Sequence, residues 1–75
     1  MTDSVHRLSV ESSAIVSVGY DAHSRTLEIE YEGGGVYRYV GVPQRAYELL
    51  LLADSHGAYV NRRIKPYYRC TRVAM

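Results

Sequence analysis

The sequence contains no phenylalanine and no tryptophan, so all eight of its aromatic residues are tyrosines. A tyrosine ring is apolar, but its hydroxyl needs water or a hydrogen-bond partner, which suits sheet edges and interfaces better than a dry core. At 75 residues the chain is also near the size where one hydrophobic core is only just sufficient for stability. We therefore expect one small domain with a thin core.

Cysteine and long apolar runs are equally scarce. Cys70 is the only cysteine, which excludes a disulfide within the chain and is typical of a reducing compartment. No apolar run approaches the roughly 20 residues that a membrane span needs, and residues 1 to 10 lack the apolar centre of a signal peptide. From these absences we expect a cytoplasmic protein without a membrane partner.

Acidic residues are missing from the C-terminal end of the chain. The net charge is only +1, but residues 1 to 32 carry two basic and six acidic side chains, whereas residues 33 to 75 carry seven basic and two acidic ones. Residues 61 to 75 hold five basic residues and no acid: Arg62, Arg63, Lys65, Arg69 and Arg72. This asymmetry indicates an anionic partner for the C-terminal end.

What the sequence does contain begins with apolar residues in alternation. The runs "AIVSVGY" (residues 14 to 20) and "TLEIEY" (residues 26 to 31) place apolar and polar residues at period two, which predicts half-buried strands. The intervening "DAHSR" supplies a turn. The register that puts every apolar residue on one face pairs Tyr20 with Leu27, Val18 with Ile29, and Val16 with Tyr31.

Three glycines precede a third strand with a Tyr-Arg-Tyr triplet. If residues 33 to 35 form the turn of a hairpin, the facing pairs are Glu32 with Val36, Tyr31 with Tyr37, Glu30 with Arg38, and Ile29 with Tyr39. This register places Tyr37 and Tyr39 on the apolar face and pairs Arg38 with a glutamate on the wet face. The alternative interpretation makes the two tyrosines an exposed platform for stacking on nucleic-acid bases.

Two helices are predicted to follow. In "PQRAYELLLLA" (residues 43 to 53) Pro43 fits a first turn, and one stripe has helical spacing: Ala46, Leu49, Leu50 and Ala53. Leu51 and Leu52 fall outside this stripe, either as scattered surface leucines or as a contact patch for a partner or a second copy of the chain.

The second helix is short. Ser55 is a suitable N-cap for "HGAYVNRRI" (residues 56 to 64), in which Gly57, Val60 and Ile64 share a face. Pro66 ends it. The expected fold class is α+β, a three-stranded antiparallel β-meander followed by two short helices packed on one face. We expect a flexible tail at residues 1 to 10, a single domain at 11 to 68, and a basic tail at 69 to 75.

No set of residues in the sequence suggests catalysis. His6, His23 and His56 are separated by intervals that match no metal motif, and Cys70 lacks the second cysteine of a zinc or redox pair. We therefore expect no enzyme activity, no metal and no cofactor.

The order of several residues resembles the KTSC domain family, which is named for its occurrence at the C-terminus of some lysyl-tRNA synthetases. The resemblance covers roughly residues 10 to 68 and rests on a set of marks spread along the chain: Ser12, Ser13, Tyr37 and Tyr39 as a Tyr-x-Tyr motif, Val42, Pro43, Ala53, Ser55, Gly57, Asn61, Ile64 and Lys65. It implies a small stand-alone domain, for which the family suggests a role in RNA binding.

Two functions fit the residues. The first is RNA or other nucleic-acid binding by the C-terminal basic segment, whose cations contact phosphates while Tyr67 and Tyr68 stack on unpaired bases; the set is Arg62, Arg63, Lys65, Tyr67, Tyr68, Arg69 and Arg72. The second is a protein-interaction module, adaptor or self-associating, that docks through Leu51, Leu52 and the tyrosine-rich rim. Phosphate contacts weaken steeply with salt and an apolar interface does not, so salt response distinguishes the two.

Overall fold

The computed structural model describes residues 6 to 74, which form an antiparallel sheet with helices on one face. The five strands lie side by side in chain order, β1-β2-β3-β4-β5. Their bounds are Arg7–Ser9, Ile15–Asp21, Thr26–Tyr31, Val36–Tyr39 and Cys70–Ala74. Between β4 and β5 come helix α1 (Gln44–Leu52), helix α2 (His56–Tyr59) and a π-helical segment (Val60–Ile64) that continues α2.

The predicted α+β class is correct, but the prediction of three strands is wrong. Strands β1 and β5 lie in the segments that were predicted to be tails, of which residues 1 to 5 and 75 lie outside the described residues. Both strands are short edge strands, held by backbone pairing to β2 and β4. The side chains of Leu8 and of residues 70 to 73 remain exposed, so no apolar alternation marks these strands in the sequence.

The first hairpin, β2 to β3, follows the predicted register over most of its length. Tyr20 pairs with Leu27 and Val18 with Ile29, as expected. The third pair is different: a β-bulge at Val16 brings Ile15 opposite Tyr31. The bulge turns Ile15 into the core, where it is fully buried, while Val16 stays half-buried.

The second hairpin, β3 to β4, is shifted by two residues from the predicted register. Tyr37 faces Ile29 and Arg38 faces Glu28, rather than Tyr31 and Glu30. The loop is longer than three glycines because the Tyr31 amide donates to the Gly35 carbonyl at 3.1 Å, closing a turn that includes Glu32. Side chains alternate with period two, so a shift of two residues leaves every side chain on its predicted face.

The core lies between the sheet and the helices. Val18, Leu27 and Ile29 from the strands meet Leu50 from α1 and Ile64 from the π-helical segment, all fully buried. The predicted apolar stripe of α1 is only partly correct. Leu50 is buried and Ala46 packs against the core, but Leu49 is 37% exposed.

Tyrosines extend this thin core at its rim. The Tyr20 and Tyr47 rings stack with centroids 5.1 Å apart, and the Tyr20 hydroxyl donates to the Val42 carbonyl. Burial raises the pKa of Tyr47 above its ordinary value. The stack joins α1 to β2 and fixes the position of α1, which forms one wall of the candidate site.

Candidate nucleic-acid interface

A groove of about 550 Å³ separates α1 from the chain that follows it. Pro43, Arg45, Ala46 and Leu49 form the wall on the α1 side. The opposite wall comes from α2, the π-helical segment and the turn after it, and consists of Tyr59, Arg63, Tyr67 and Tyr68. Each wall therefore carries one arginine, and three of the eight tyrosines meet along one side.

Local hydrogen bonds explain why these side chains point outward. The Ser55 hydroxyl accepts from the Ala58 amide at 3.1 Å and caps α2 as predicted. The Lys65 amide donates to the Val60 carbonyl, five residues back, at 2.8 Å, which defines a π-helical turn. Val60 and Ile64 are buried on the inner side of this turn, and residues 61 to 63 remain on the outside.

The turn after the π-helical segment brings two tyrosines back to the groove. The amides of Tyr67 and Tyr68 both donate to the Ile64 carbonyl at 3.1 Å. Tyr68 and Tyr59 are half-buried and pack against the core, whereas Tyr67 is 67% exposed. Two of the rings are thus fixed parts of the wall, and the third presents a large free surface to solvent.

The electrostatics of the groove are positive. No acidic residue lines it, and within residues 6 to 74 neither Arg45 nor Arg63 forms an ion pair. A smaller hollow beside it, of about 320 Å³, shares Tyr59 and Arg63, adds Arg62, and contains Asp54. Arg45 and Arg63 are therefore available to bind an anion in the groove.

The acidic residues of strand β3 lie on the other side of the sheet. Glu28 is 5% exposed, and its carboxylate accepts from Arg7 Nη1 and from Arg38 Nε, each at 2.8 Å. Glu30 accepts from the Ser17 hydroxyl at 2.9 Å and lies 4.0 Å from Arg7. Both glutamates are on the face that the helices do not cover, so their charges are paired and remote from the groove.

The structure divides the predicted basic segment into two groups. Arg63, Tyr67 and Tyr68 line the groove, with Arg62 at its side. The remaining cations are not in the groove. Lys65 lies over the Tyr31 ring at 5.3 Å and Arg72 over the Tyr37 ring at 5.8 Å, while Arg69 is exposed just before β5.

Comparison with known proteins assigns the fold to a family. The family model of the KTSC domain matches residues 11–68. The chain belongs to the KTSC domain family. The crystal structure of a KTSC domain protein from Yersinia pestis has a TM-score of 0.91 at 38% identity, with 95% of this chain and 100% of that chain covered. The resemblance inferred from the sequence is confirmed.

Two further relatives differ in length. An uncharacterized protein of Stutzerimonas stutzeri is 41% identical over 68 residues, which are 89% of this chain and 96% of that protein. A lysine–tRNA ligase of Nostoc punctiforme is 37% identical over 62 residues, which are 83% of this chain but 11% of the ligase. The region that resembles this chain is thus nearly the whole of one relative and a small part of the other.

The Tyr-x-Tyr motif of this KTSC domain is mainly structural. Tyr39 is 2% exposed, so the alternative interpretation of it as an open stacking platform is wrong. Its hydroxyl lies 2.7 Å from that of Tyr31. The pKa of Tyr31 is raised, mainly by burial and to a lesser extent by this hydrogen bond. Tyr37 is half-buried, with its ring in a T-shaped contact with that of Tyr31 and with Arg72 over it. Arg72 would compete with a base for this face of the Tyr37 ring.

Sequence reasoning missed two residues of the groove, Arg45 and Tyr59. Tyr59 stands four positions before Arg63, a spacing that places both on one side of a helix, so the pattern was present in the sequence. Arg45 gave no comparable signal, because its place in the groove depends on how α1 packs beside the segment that follows it. Pro43 and Leu49, predicted as a helix start and a core residue, also contribute to the groove wall.

The leucines of the predicted contact patch are exposed. Leu51 is 36% and Leu52 is 79% exposed at the end of α1, as their position off the apolar stripe indicated.

Within the described chain no helix is long and apolar enough to cross a membrane. Among residues 6 to 74 no three His, Cys, Asp or Glu side chains are grouped so as to hold a metal ion.

Proposed function

We propose that this KTSC domain is a non-catalytic module that binds RNA through the groove between α1 and the π-helical segment. The observation that carries the proposal is the groove lining, in which exposed Tyr67 lies with Arg45 and Arg63 and no acid is present. An RNA ligand and a single exposed thiol at Cys70 both fit the cytoplasm as its location.

The chemistry of the lining favours single-stranded RNA. Arginine contacts phosphate without reading sequence, whereas tyrosine rings stack on bases that are not paired in a duplex. Protein surfaces that combine a cationic groove with aromatic rings are typical of single-strand binding. The related region in a lysine–tRNA ligase supports the proposal, since the name of that enzyme indicates an RNA substrate.

Fluorescence anisotropy with a labelled single-stranded RNA and with tRNA tests the proposal. We expect micromolar binding at low salt, and a loss of roughly tenfold or more when Arg45→Gln and Arg63→Gln are combined, because each phosphate loses a charge-assisted hydrogen bond. Both arginines are exposed, so their replacement should leave the fold intact.

Arg69→Gln is the matched control. It removes one exposed positive charge of the C-terminal segment that is not part of the groove. We expect it to weaken RNA binding about twofold or less. If it weakened binding as much as Arg63→Gln does, the groove would not be the site and overall charge would account for the binding. Absence of binding at low salt would contradict the RNA proposal itself.

A second candidate function is protein interaction through the exposed end of α1. Leu52, at 79% exposure, is the most exposed large apolar side chain in the described part of the chain. If RNA does not bind, we expect Leu51 and Leu52 to contact a protein partner or a second copy. Sedimentation of wild type and Leu52→Gln over a concentration series distinguishes a dimer from a monomer, and high salt should not dissociate an apolar contact.

A further inference from the structure

The groove has the dimensions of a small-ligand site. Pockets for small molecules typically measure about 300 to 1,000 Å³, are largely apolar, and carry a few polar groups that fix orientation. The groove measures about 550 Å³. Ala46 and half-exposed Leu49 supply apolar surface, and Arg45 and Arg63 supply charge from opposite walls. Such a site is too small for a stretch of RNA but large enough for one of its units.

The position of the rings suggests how that unit would lie. Tyr59 and Tyr68 are packed against the core and cannot move freely, whereas Tyr67 is mostly exposed. A flat aromatic ligand could therefore cover Tyr67 and exclude water from it, at little conformational cost to the protein. Two guanidinium groups without acidic partners among the described residues lie nearby, and each would donate N–H hydrogen bonds to a phosphate oxygen.

We propose that the groove is a subsite for one unpaired nucleotide of an RNA strand, with its base stacked on Tyr67 and the phosphates on its two sides bound by Arg45 and Arg63, one each. This inference rests on the proposed function and narrows it to a single nucleotide as the recognised unit. No Asn, Gln, Asp or Glu side chain lines the groove. Adenine and cytosine edges are usually read by such groups, so stacking rather than edge recognition governs affinity.

Amide chemical shifts of the full chain, titrated separately with adenosine 5′-monophosphate and inorganic phosphate, test the inference. The nucleotide should shift the amides of Ala46, Leu49, Tyr67 and Tyr68 and bind at least tenfold more tightly than phosphate. Tyr67→Ala should weaken nucleotide binding about tenfold and leave phosphate binding unchanged, since stacking of one base typically has an effect of this size or larger. Tyr67→Phe, which keeps the ring, should bind the nucleotide like wild type.

Binding of single-stranded RNA to the same samples separates the inference from the proposed function. If RNA binds, but the nucleotide leaves the groove amides unshifted or binds no better than phosphate, the nucleotide subsite is wrong and RNA binding stands. If RNA itself does not bind, both fail. Because Tyr67 is exposed, Tyr67→Ala should retain the wild-type melting temperature, which shows that any loss is local.

Discussion

At the scale of single residues, Gly35 stands at the end of the turn in the second hairpin, where two side chains leave no room for a Cβ atom. Gly35 has φ +96°, and a Cβ added there would lie 3.2 Å from the Tyr37 ring and 3.3 Å from the Arg72 guanidinium. Gly34 has nearly the same φ, +93°, but nothing lies within 4 Å of its would-be Cβ. Alanine at Gly34 would therefore introduce backbone strain alone, whereas alanine at Gly35 would introduce the same strain and a steric clash.

We expect Gly34→Ala to lower the free energy of unfolding by roughly 1 to 2 kcal/mol, through backbone strain alone. Gly35→Ala should lower it by roughly 2 to 4 kcal/mol, because the methyl group also displaces Tyr37 and Arg72. Urea unfolding of both variants measures the difference. Equal losses would show that the Tyr37 and Arg72 side chains move aside for the methyl group without cost.

The partly buried hydroxyl of Tyr31 predicts a dependence of stability on alkaline pH. Burial and the Tyr39 hydrogen bond raise the pKa of Tyr31 above 10.0, its ordinary value. Above that pH the unfolded chain releases a proton that the folded chain retains, so unfolding becomes more favourable. Stability from Tyr31 is therefore complete below pH 10 and falls as pH rises above it.

Tyr31→Phe tests whether ionisation of Tyr31 causes the loss of stability at alkaline pH. The variant has no hydroxyl to ionise, so its free energy of unfolding should fall less steeply than that of wild type between pH 9 and about 11. Chemical unfolding at each pH gives the two curves. Parallel curves would mean that other groups, such as the remaining tyrosines, cause the whole effect.

At the scale of the elements, α2 is placed by a close approach to the loop before β2. A Cβ added at Gly57 would lie 3.2 Å from the Cβ of Ala14, so the helix and the loop are nearly in contact. Gly57 is the second residue of α2 and has an ordinary helical backbone, where replacing glycine with alanine normally stabilises a protein by roughly 0.5 to 1 kcal/mol because it restricts the unfolded chain. Here that gain is opposed by crowding against Ala14.

A double-mutant cycle at positions 57 and 14 measures the energetic cost of this crowding. Gly57→Ala alone should stabilise the protein by less than the usual amount or destabilise it. In the Ala14→Gly background, which removes the opposing methyl group, Gly57→Ala should recover a gain of roughly 0.5 to 1 kcal/mol. Thermal unfolding of the four proteins gives the coupling, and a coupling near zero would show that the loop moves away without cost.

The elements differ in how far the sequence could predict them. Strands β2 to β4 and helix α1 have one buried face, and burial leaves an apolar period in the sequence. Strand β5 is held mainly by backbone pairing with β4, which any sequence can make, so "CTRVA" shows no pattern. The Val16 bulge and the π-helical turn each add one residue to a regular element, and neither has a local sequence mark.

The candidate site shows the same limit. Tyr67, Tyr68 and Arg63 were predicted because they are close in the chain and chemically suited to RNA. The same reasoning included Lys65 and Arg72, which the fold places over tyrosine rings instead. Arg45 joins the site only because α1 packs beside α2, a contact between residues far apart in sequence. The sequence therefore predicts the residue types of the site, but only the fold shows which of several arginines, lysines and tyrosines line the groove.

At the scale of the whole molecule, the two faces differ in charge while the net charge stays at +1. Glu28 and Glu30 are matched with Arg7 and Arg38 on the open face of the sheet. The groove on the helical side has arginines without acidic partners among the described residues. RNA binding should therefore involve few phosphates. The slope of log K against log salt concentration measures how many phosphates the protein contacts.

With two phosphates bound by Arg45 and Arg63, log K should fall with log salt at a slope of about −1.4, since each phosphate on a single strand contributes about −0.7. Arg63→Gln should reduce the slope to about −0.7, and Arg69→Gln should leave it unchanged. Anisotropy titrations over a range of salt concentrations give each slope. A wild-type slope of about −3 or steeper would mean that exposed cations outside the groove, such as Arg62 and Arg69, also contact phosphate. The interface would then be a broad cationic surface, and the groove would be one part of it.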